Sequence, residues 1–295
     1  MRLGVVVLPE FTGPEASRIW RRVEDLGVDH VWTFDHIAWR KSAGGPWFDA
    51  FGLLAAAALG TERVELGTLV TTPNFRHPVT TATQAMTLDQ LSGGRLVLGL
   101  GAGVSGRDAS VLGGPRLEPA ERADRFEEFV FMLDTLLRHP TTTLRGRCYQ
   151  AVEVPMVPGC VRRPRAPFAI AASGRRGMRL VARYARSWVT IGNPRTPGEE
   201  PESRAFGTLR AQLDRLAEAC LEVGRDVHDL HKLVNLSLVA AEPYASAQRF
   251  ADLLGTCREL GFTDVVVNHP RPADALAGDL DLFERAVAAA CSEVC

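Results

Sequence analysis

The chain has 295 residues, 46% of them hydrophobic, and 34 Lys plus Arg against 35 Asp plus Glu give a formal charge of -1. That length can bury one large core, and the balanced charge gives no support for a nucleic-acid or other polyanion-binding surface. The six cysteines show neither CxxC pairing nor zinc spacing and are expected to be free thiols. The opening MRLGVVVLPEF has too short an apolar run for a membrane span and lacks a secretory cleavage pattern, so a cytoplasmic location is expected.

Leu3 to Leu8 form a short, nearly continuous apolar run, as expected of a strand buried on both faces. Glu15 to Leu26 follow as a helix, with Gly27 placed to cap it. Val28 to Phe34 read as a second strand, and Asp49 to Gly60 as an alanine-rich second helix. Val64 to Val70 are the third strand, Pro78 to Ser92 the third helix, and Arg95 to Leu100 the fourth strand after Gly93-Gly94. A long loop runs from Gly101 to Pro119. Glu121 to Leu137 then repeat apolar residues at spacings of three and four, the mark of an amphipathic helix.

Proline and glycine break the rhythm from His139 to Pro167, where TTTLRGRCYQ predicts a small extended excursion with no catalytic role. Phe168 to Ala172 are strand five, Gly174 to Tyr184 helix five, and Ser187 to Ile191 strand six. A loop at Pro194 to Pro201 leads to a long helix with Leu209, Leu213, Leu216 and Cys220 on one face. His231 to Val239 read as strand seven, Pro243 as the opening of helix seven, Thr263 to Val267 as strand eight, and Leu280 to Val287 as part of the closing helix. Eight strands alternating with helices in one domain (residues 1–295) favour a closed (β/α)8 barrel over an open doubly wound sheet.

In such a barrel the chemistry lies at the carboxyl ends of the strands. His36, directly after strand two, could exchange a proton with a bound substrate or reduced cofactor; Asp35 could orient a ring nitrogen or cap the loop. His30, at the opposite end of that strand, reads as structural. Thr68, Thr71, Thr72 and Asn74 offer neutral hydrogen-bonding groups suited to a polar heterocycle, and Arg76 serves as a donor or as an anchor for the loop. Gly99, Gly101 and Gly103 would let a planar ligand approach the backbone. Asp108 is too isolated in sequence to be given a role. AASGRRG, Ala171 to Gly177, is the best phosphate candidate: Ser173 can donate, the helix start favours an anion, and Arg175 or Arg176 can neutralise it. No HxH, HExxH or convergent carboxylate set supplies a metal site, so none is expected.

Taken together, WTFDH, GTLVTTPNFRHP, TLDQLSGGRLVLGLGAG, AASGRRG and GFTDVVVNHP span essentially the whole chain. They resemble the bacterial-luciferase-like flavin or deazaflavin oxidoreductase family. The resemblance implies a (β/α)8 barrel, commonly a homodimer, that uses the deazaflavin F420 or FMN. It makes His36 the pocket histidine and places Leu69-Val70 where F420-binding members often have a non-proline cis peptide. It assigns Ala171, Ala172, Ser173, Gly174 and Arg175 to the cofactor phosphate. Thr68, Thr71, Asn74 and Gly101 complete the expected cofactor contacts. F420 with hydride transfer between the deazaflavin and a small organic substrate is the preferred reading. An FMN monooxygenase fed by a separate flavin reductase is one alternative, and a non-catalytic cofactor-binding barrel another.

Overall fold

The computed structural model describes residues 1–37, 45–104, 106–193, 200–271 and 278–292. Most of the Pro194–Pro201 loop and Cys295 fall outside these described residues. Eight parallel strands close into a barrel: β1 (Arg2–Val6), β2 (His30–Thr33), β3 (Glu65–Thr68), β4 (Leu96–Gly101), β7 (Phe168–Ala171), β8 (Ser187–Thr190), β9 (His231–Asn235) and β10 (Asp264–Asn268). Pairing of β10 with β1 leaves no edge, and this excludes the open sheet.

The helices α1 (Gly13–Asp25), α2 (Ala50–Gly60), α3 (Pro78–Leu91), α4 (Pro119–Arg138), α5 (Arg175–Tyr184), α6 (Glu202–Glu222), α7 (Ala247–Leu260) and α8 (Leu280–Ser292) follow the barrel strands. In α4 the apolar repeat becomes a buried stripe of Phe126, Phe129, Val130, Met132, Leu133, Leu136 and Leu137. Burying each large side chain of this kind contributes about 1.5–3 kcal/mol. Between α4 and β7 the predicted excursion is an antiparallel hairpin, β5 (Thr141–Arg145) with β6 (Gln150–Pro155). The Glu128 carboxylate of α4 accepts the N–H groups of Arg147, Cys148 and Tyr149 at 2.7–3.0 Å, which fastens the hairpin turn to the barrel wall.

Two boundaries differ from the sequence reading by more than two residues. Strand seven was expected to reach Val239, but β9 ends at Asn235 and a 3-10 turn occupies Leu236–Leu238. In that turn the Ser237 hydroxyl accepts the Asn268 N–H at 2.9 Å, replacing a ladder partner. Helix seven begins at Ala247 rather than near Pro243, because the Ser246 side chain accepts the Arg249 N–H at 3.1 Å and sets the N-cap there.

Inside the barrel, Val6, Leu8, Trp32, Phe34, Leu69, Val97, Ala169, Val189, Leu233 and Val266 form a core of their own. His30 and Trp32 point inward among them. A Cβ on Gly4 would collide with the His30 ring, and one on Gly67 with the Trp32 ring. The Trp32 indole donates to His30 Nδ1 at 2.7 Å, so His30 Nε2 carries the ring hydrogen and lies 3.3 Å from Asp264 Oδ1. This fulfils the structural reading of His30.

Candidate active site

Alternation along β2 decides what Asp35 and His36 can do. Trp32 and Phe34 face the barrel interior, so His36 continues on that side and Asp35 turns the other way. Asp35 is 1% exposed and is held by Arg76, with Nη2 2.5 Å from Oδ1 and Nε 3.1 Å from Oδ2. The Thr71 hydroxyl donates to the same carboxylate at 2.8 Å. Arg76 also reaches Asp49, the N-cap of α2, at 2.6 Å, and lies over the rings of Phe51 and Phe75. Burial opposes the guanidinium charge, but Asp35 and Asp49 outweigh it and raise Arg76 above its ordinary value. Asp35 therefore stitches β2 to the β3–α3 loop and makes no bond to His36.

The partner of His36 is a residue to which sequence reasoning gave no role. Asp108, in a 3-10 turn beyond β4, bonds His36 Nδ1 through Oδ2 and accepts the Ile37 N–H through Oδ1 at 3.0 Å. The imidazole packs edge-on to Phe34 and tilted against Trp47, whose indole donates to the His36 carbonyl at 2.7 Å. The His36 side chain keeps 26% of its surface exposed, against 8% for Asp108. A separation of 72 residues leaves no periodic signal for this contact.

The other predicted ligand groups divide into scaffold and surface. Thr68 and Thr71 are fully buried; Thr68 donates to the Gly99 carbonyl at 2.9 Å, and Thr71 is committed to Asp35. Asn74 Nδ2 donates to the Val104 carbonyl at 3.2 Å, and its Oδ1 accepts from Arg125 at 2.7 Å. Leu69 is 7% exposed in the interior core, and the Leu69–Val70 peptide is cis. A Cβ on Gly101 would stand 2.6 Å from Val70 Cγ2 and 3.7 Å from Ala171 Cβ. Val70, just beyond β3, Gly101 of β4 and Ala171 of β7 thus form a row of short side chains.

That row leads to Ala172, Ser173 and Gly174, where α5 begins. Asp49, His77 and Ser246 side chains cap α2, α3 and α7, but no side chain caps α5 and its first turn has no acidic residue. Its first N–H groups are therefore available to an anion. Arg175 is exposed beside them, whereas Arg176 is engaged by Glu127 at 2.8 Å and Asp124 at 2.6 Å. This separates two arginines that the sequence left equivalent. Arg215 of α6, which the sequence did not flag, donates to the Ser173 carbonyl at 3.0 Å and brings a second guanidinium to the segment. An uncapped helix start, small flanking residues and two arginines fit the phosphate of a bound cofactor.

The model of the luciferase-like monooxygenase family matches residues 1–290. The chain belongs to that family. Membership makes it an oxidoreductase. It is 35% identical over 258 residues to an F420-dependent glucose-6-phosphate dehydrogenase of Intrasporangium calvum, covering 79% of this chain and 75% of that one. It is 29% identical to a 4-hydroxyprotoasukamycin monooxygenase of Streptomyces nodosus subsp. asukaensis, covering 76% of this chain and 60% of that protein. Among solved structures, an F420-dependent secondary alcohol dehydrogenase superposes with a TM-score of 0.79 at 17% identity, covering 97% of this chain and 96% of that one. The F420-dependent tetrahydromethanopterin reductase of Methanopyrus kandleri gives 0.76 at 18% identity, with 99% and 97% covered. These two likenesses show the barrel fold.

Proposed function

We propose that this protein is an F420-dependent oxidoreductase that exchanges a hydride with a small organic substrate at the carboxyl mouth of the barrel. The observation that carries the reading is the run of short side chains from Val70 through Gly101 and Ala171 to the uncapped start of α5. Several similar curated proteins are F420-dependent dehydrogenases, which supports the deazaflavin over other planar cofactors. When bound, F420 would supply the centre that gives the hydride to the substrate or takes it from it. The chain's own residues do the rest. Ser173, the first N–H groups of α5 and Arg175 hold the phosphate. Val70, packed over Gly101, and Ala171 present short apolar side chains to a ring system, and the interior core of Trp32, Phe34 and Leu69 closes the floor against water. His36 takes or gives the proton that accompanies the hydride.

Assembly as a homodimer and residence in the cytoplasm are part of the same proposal; among the described residues no helix is long and apolar enough to cross a membrane. So is folding of the whole chain as one domain. The second reading, an FMN monooxygenase supplied by a flavin reductase, is favoured by the likeness to a 4-hydroxyprotoasukamycin monooxygenase. A paired equilibrium titration with F420 and FMN, each oxidised and reduced, separates the two. Stoichiometric F420 binding is expected; tight FMN binding with no F420 binding would overturn the cofactor assignment. Light scattering across a concentration series tests the dimer, and persistence of monomer alone at assay concentrations would reject it.

A further inference from the structure

We propose that Asp108 is the positioning residue of His36: it fixes the imidazole in the tautomer that leaves Nε2 as the proton-accepting atom. The inference rests on the reading of His36 as a proton carrier and deepens it. A carboxylate oxygen can only accept, so the His36 nitrogen bonded to it, Nδ1, must carry the hydrogen. In the neutral ring the lone pair is then on Nε2, the nitrogen turned away from Asp108. The second carboxylate oxygen is spoken for as well, because it accepts the Ile37 N–H at 3.0 Å. Ring and backbone of one turn are thus gripped by a single side chain. Rotation of the imidazole is further limited by Phe34 on one side and Trp47 on another.

The carboxylate has to be held in turn, and the loop that carries it is tied to the barrel. Arg125 on α4 donates to Asn74 Oδ1 at 2.7 Å, and Asn74 Nδ2 donates to the Val104 carbonyl at 3.2 Å, four residues before Asp108. Gly103 lets the Asn74 amide lie against the backbone, since a Cβ there would be 2.5 Å from Nδ2. The proton inventory is simple. Nε2 gains one proton when the reacting group of the substrate or cofactor loses one, and returns it in the reverse direction. Nδ1 keeps its hydrogen throughout, directed at Asp108 Oδ2.

The test needs no substrate and no cofactor. Protein labelled with 15N in its histidines is examined by ring-nitrogen NMR, with His36→Gln used to assign the resonances. In wild type the neutral His36 ring is expected as the Nδ1–H tautomer. Asp108→Asn gives a directional outcome. Of its two side-chain groups the amide oxygen is the one able to accept the Ile37 N–H, and keeping that bond turns its NH2 toward Nδ1, which then has to accept. His36 is therefore expected to switch to the Nε2–H tautomer. Asp108→Ala should lose the Nδ1–H preference without that reversal. Should Asp108→Ala fail to fold, the near-isosteric Asp108→Asn decides alone. A wild-type ring in the Nε2–H form, or a tautomer unchanged in Asp108→Asn, would overturn the proposal. F420 titration of the same samples keeps the questions apart: wild type that binds no F420 counts against the cofactor reading and leaves the tautomer result standing.

Discussion

The two ends of the barrel spend their charges differently. At the amino-terminal end, Glu65 is surrounded by Arg2, Arg162 and Arg186 at 2.5–2.9 Å, and Asp264 by Arg2, His30 and His231 at 2.9–3.3 Å. At the carboxyl end, Asp35 and Arg76 pair beneath the rim, but the start of α5 is uncapped and Arg175 is exposed. One end is closed on itself and the other keeps donors in reserve. Polar groups at the first end hold the barrel shut; those at the second are positioned at some cost to stability and are free to meet a ligand.

The contrast is broken most directly at Glu65. Glu65→Ala leaves three partly buried guanidinium groups without their shared carboxylate and should cost about 3 kcal/mol of unfolding free energy. Urea unfolding followed by circular dichroism would show it, while F420 affinity of the folded fraction should stay at the wild-type value. A loss below about 1 kcal/mol would mean that the arginines simply rehydrate, as exposed pairs do.

Acid provides a second, graded route. Burial alone would raise the Glu65 and Asp264 carboxyls, but Arg186 and Arg2 outweigh it for Glu65, and His231 and His30 for Asp264, so both lie well below the ordinary carboxylate range. Their contribution is complete above the unfolded values of 4.5 and 3.8 and is lost as pH falls toward the depressed folded values. The contribution of these two carboxyls should therefore be flat near neutrality and drop steeply below about pH 4.5. Glu65→Gln should flatten that drop in a series of melting curves.

At the carboxyl end the expected effects are smaller and fall on binding. Arg175→Glu should weaken F420 binding by roughly tenfold at low ionic strength, less as salt rises, with little change in melting temperature. Ser173→Ala removes one neutral donor and should cost about 1 kcal/mol of affinity. Fluorescence titration checks both. Unchanged affinity in the two variants would remove this segment from the site and leave the ends of the barrel less different than they look.

Much of this contrast could be read in advance, and the limit is physical. Strands buried on both faces appear as short apolar runs whatever their neighbours, so all eight barrel strands were legible; the end of β9 and the start of α7 were misplaced by four residues, where Ser237 and Ser246 redirect the backbone. Residues beside strand ends, such as His36 and Ser173, were legible because the fold itself marks those positions. Side chains that meet across the barrel were not. Asp108 reaches His36 over 72 positions and Arg215 reaches Ser173 over 42, and no local pattern encodes either contact. Asp35 is the instructive case. Alternation carried on from β2 already turns it away from His36, but its partnership with Arg76, 41 positions on, is encoded by no local pattern.

The missing side chains at Gly4 and Gly67 bear on how such a protein changes over time. Each glycine is the complement of a ring on the neighbouring strand, His30 or Trp32. A backbone carbonyl closes each position as well: a Cβ on Gly4 would stand 2.6 Å from the His30 carbonyl oxygen, and one on Gly67 2.5 Å from that of Val97. Shrinking the ring therefore makes no room for a methyl group, and both positions should stay glycine whatever ring stands opposite. An engineer who wishes to hollow out this barrel would have to cut back the rings and leave the glycines in place.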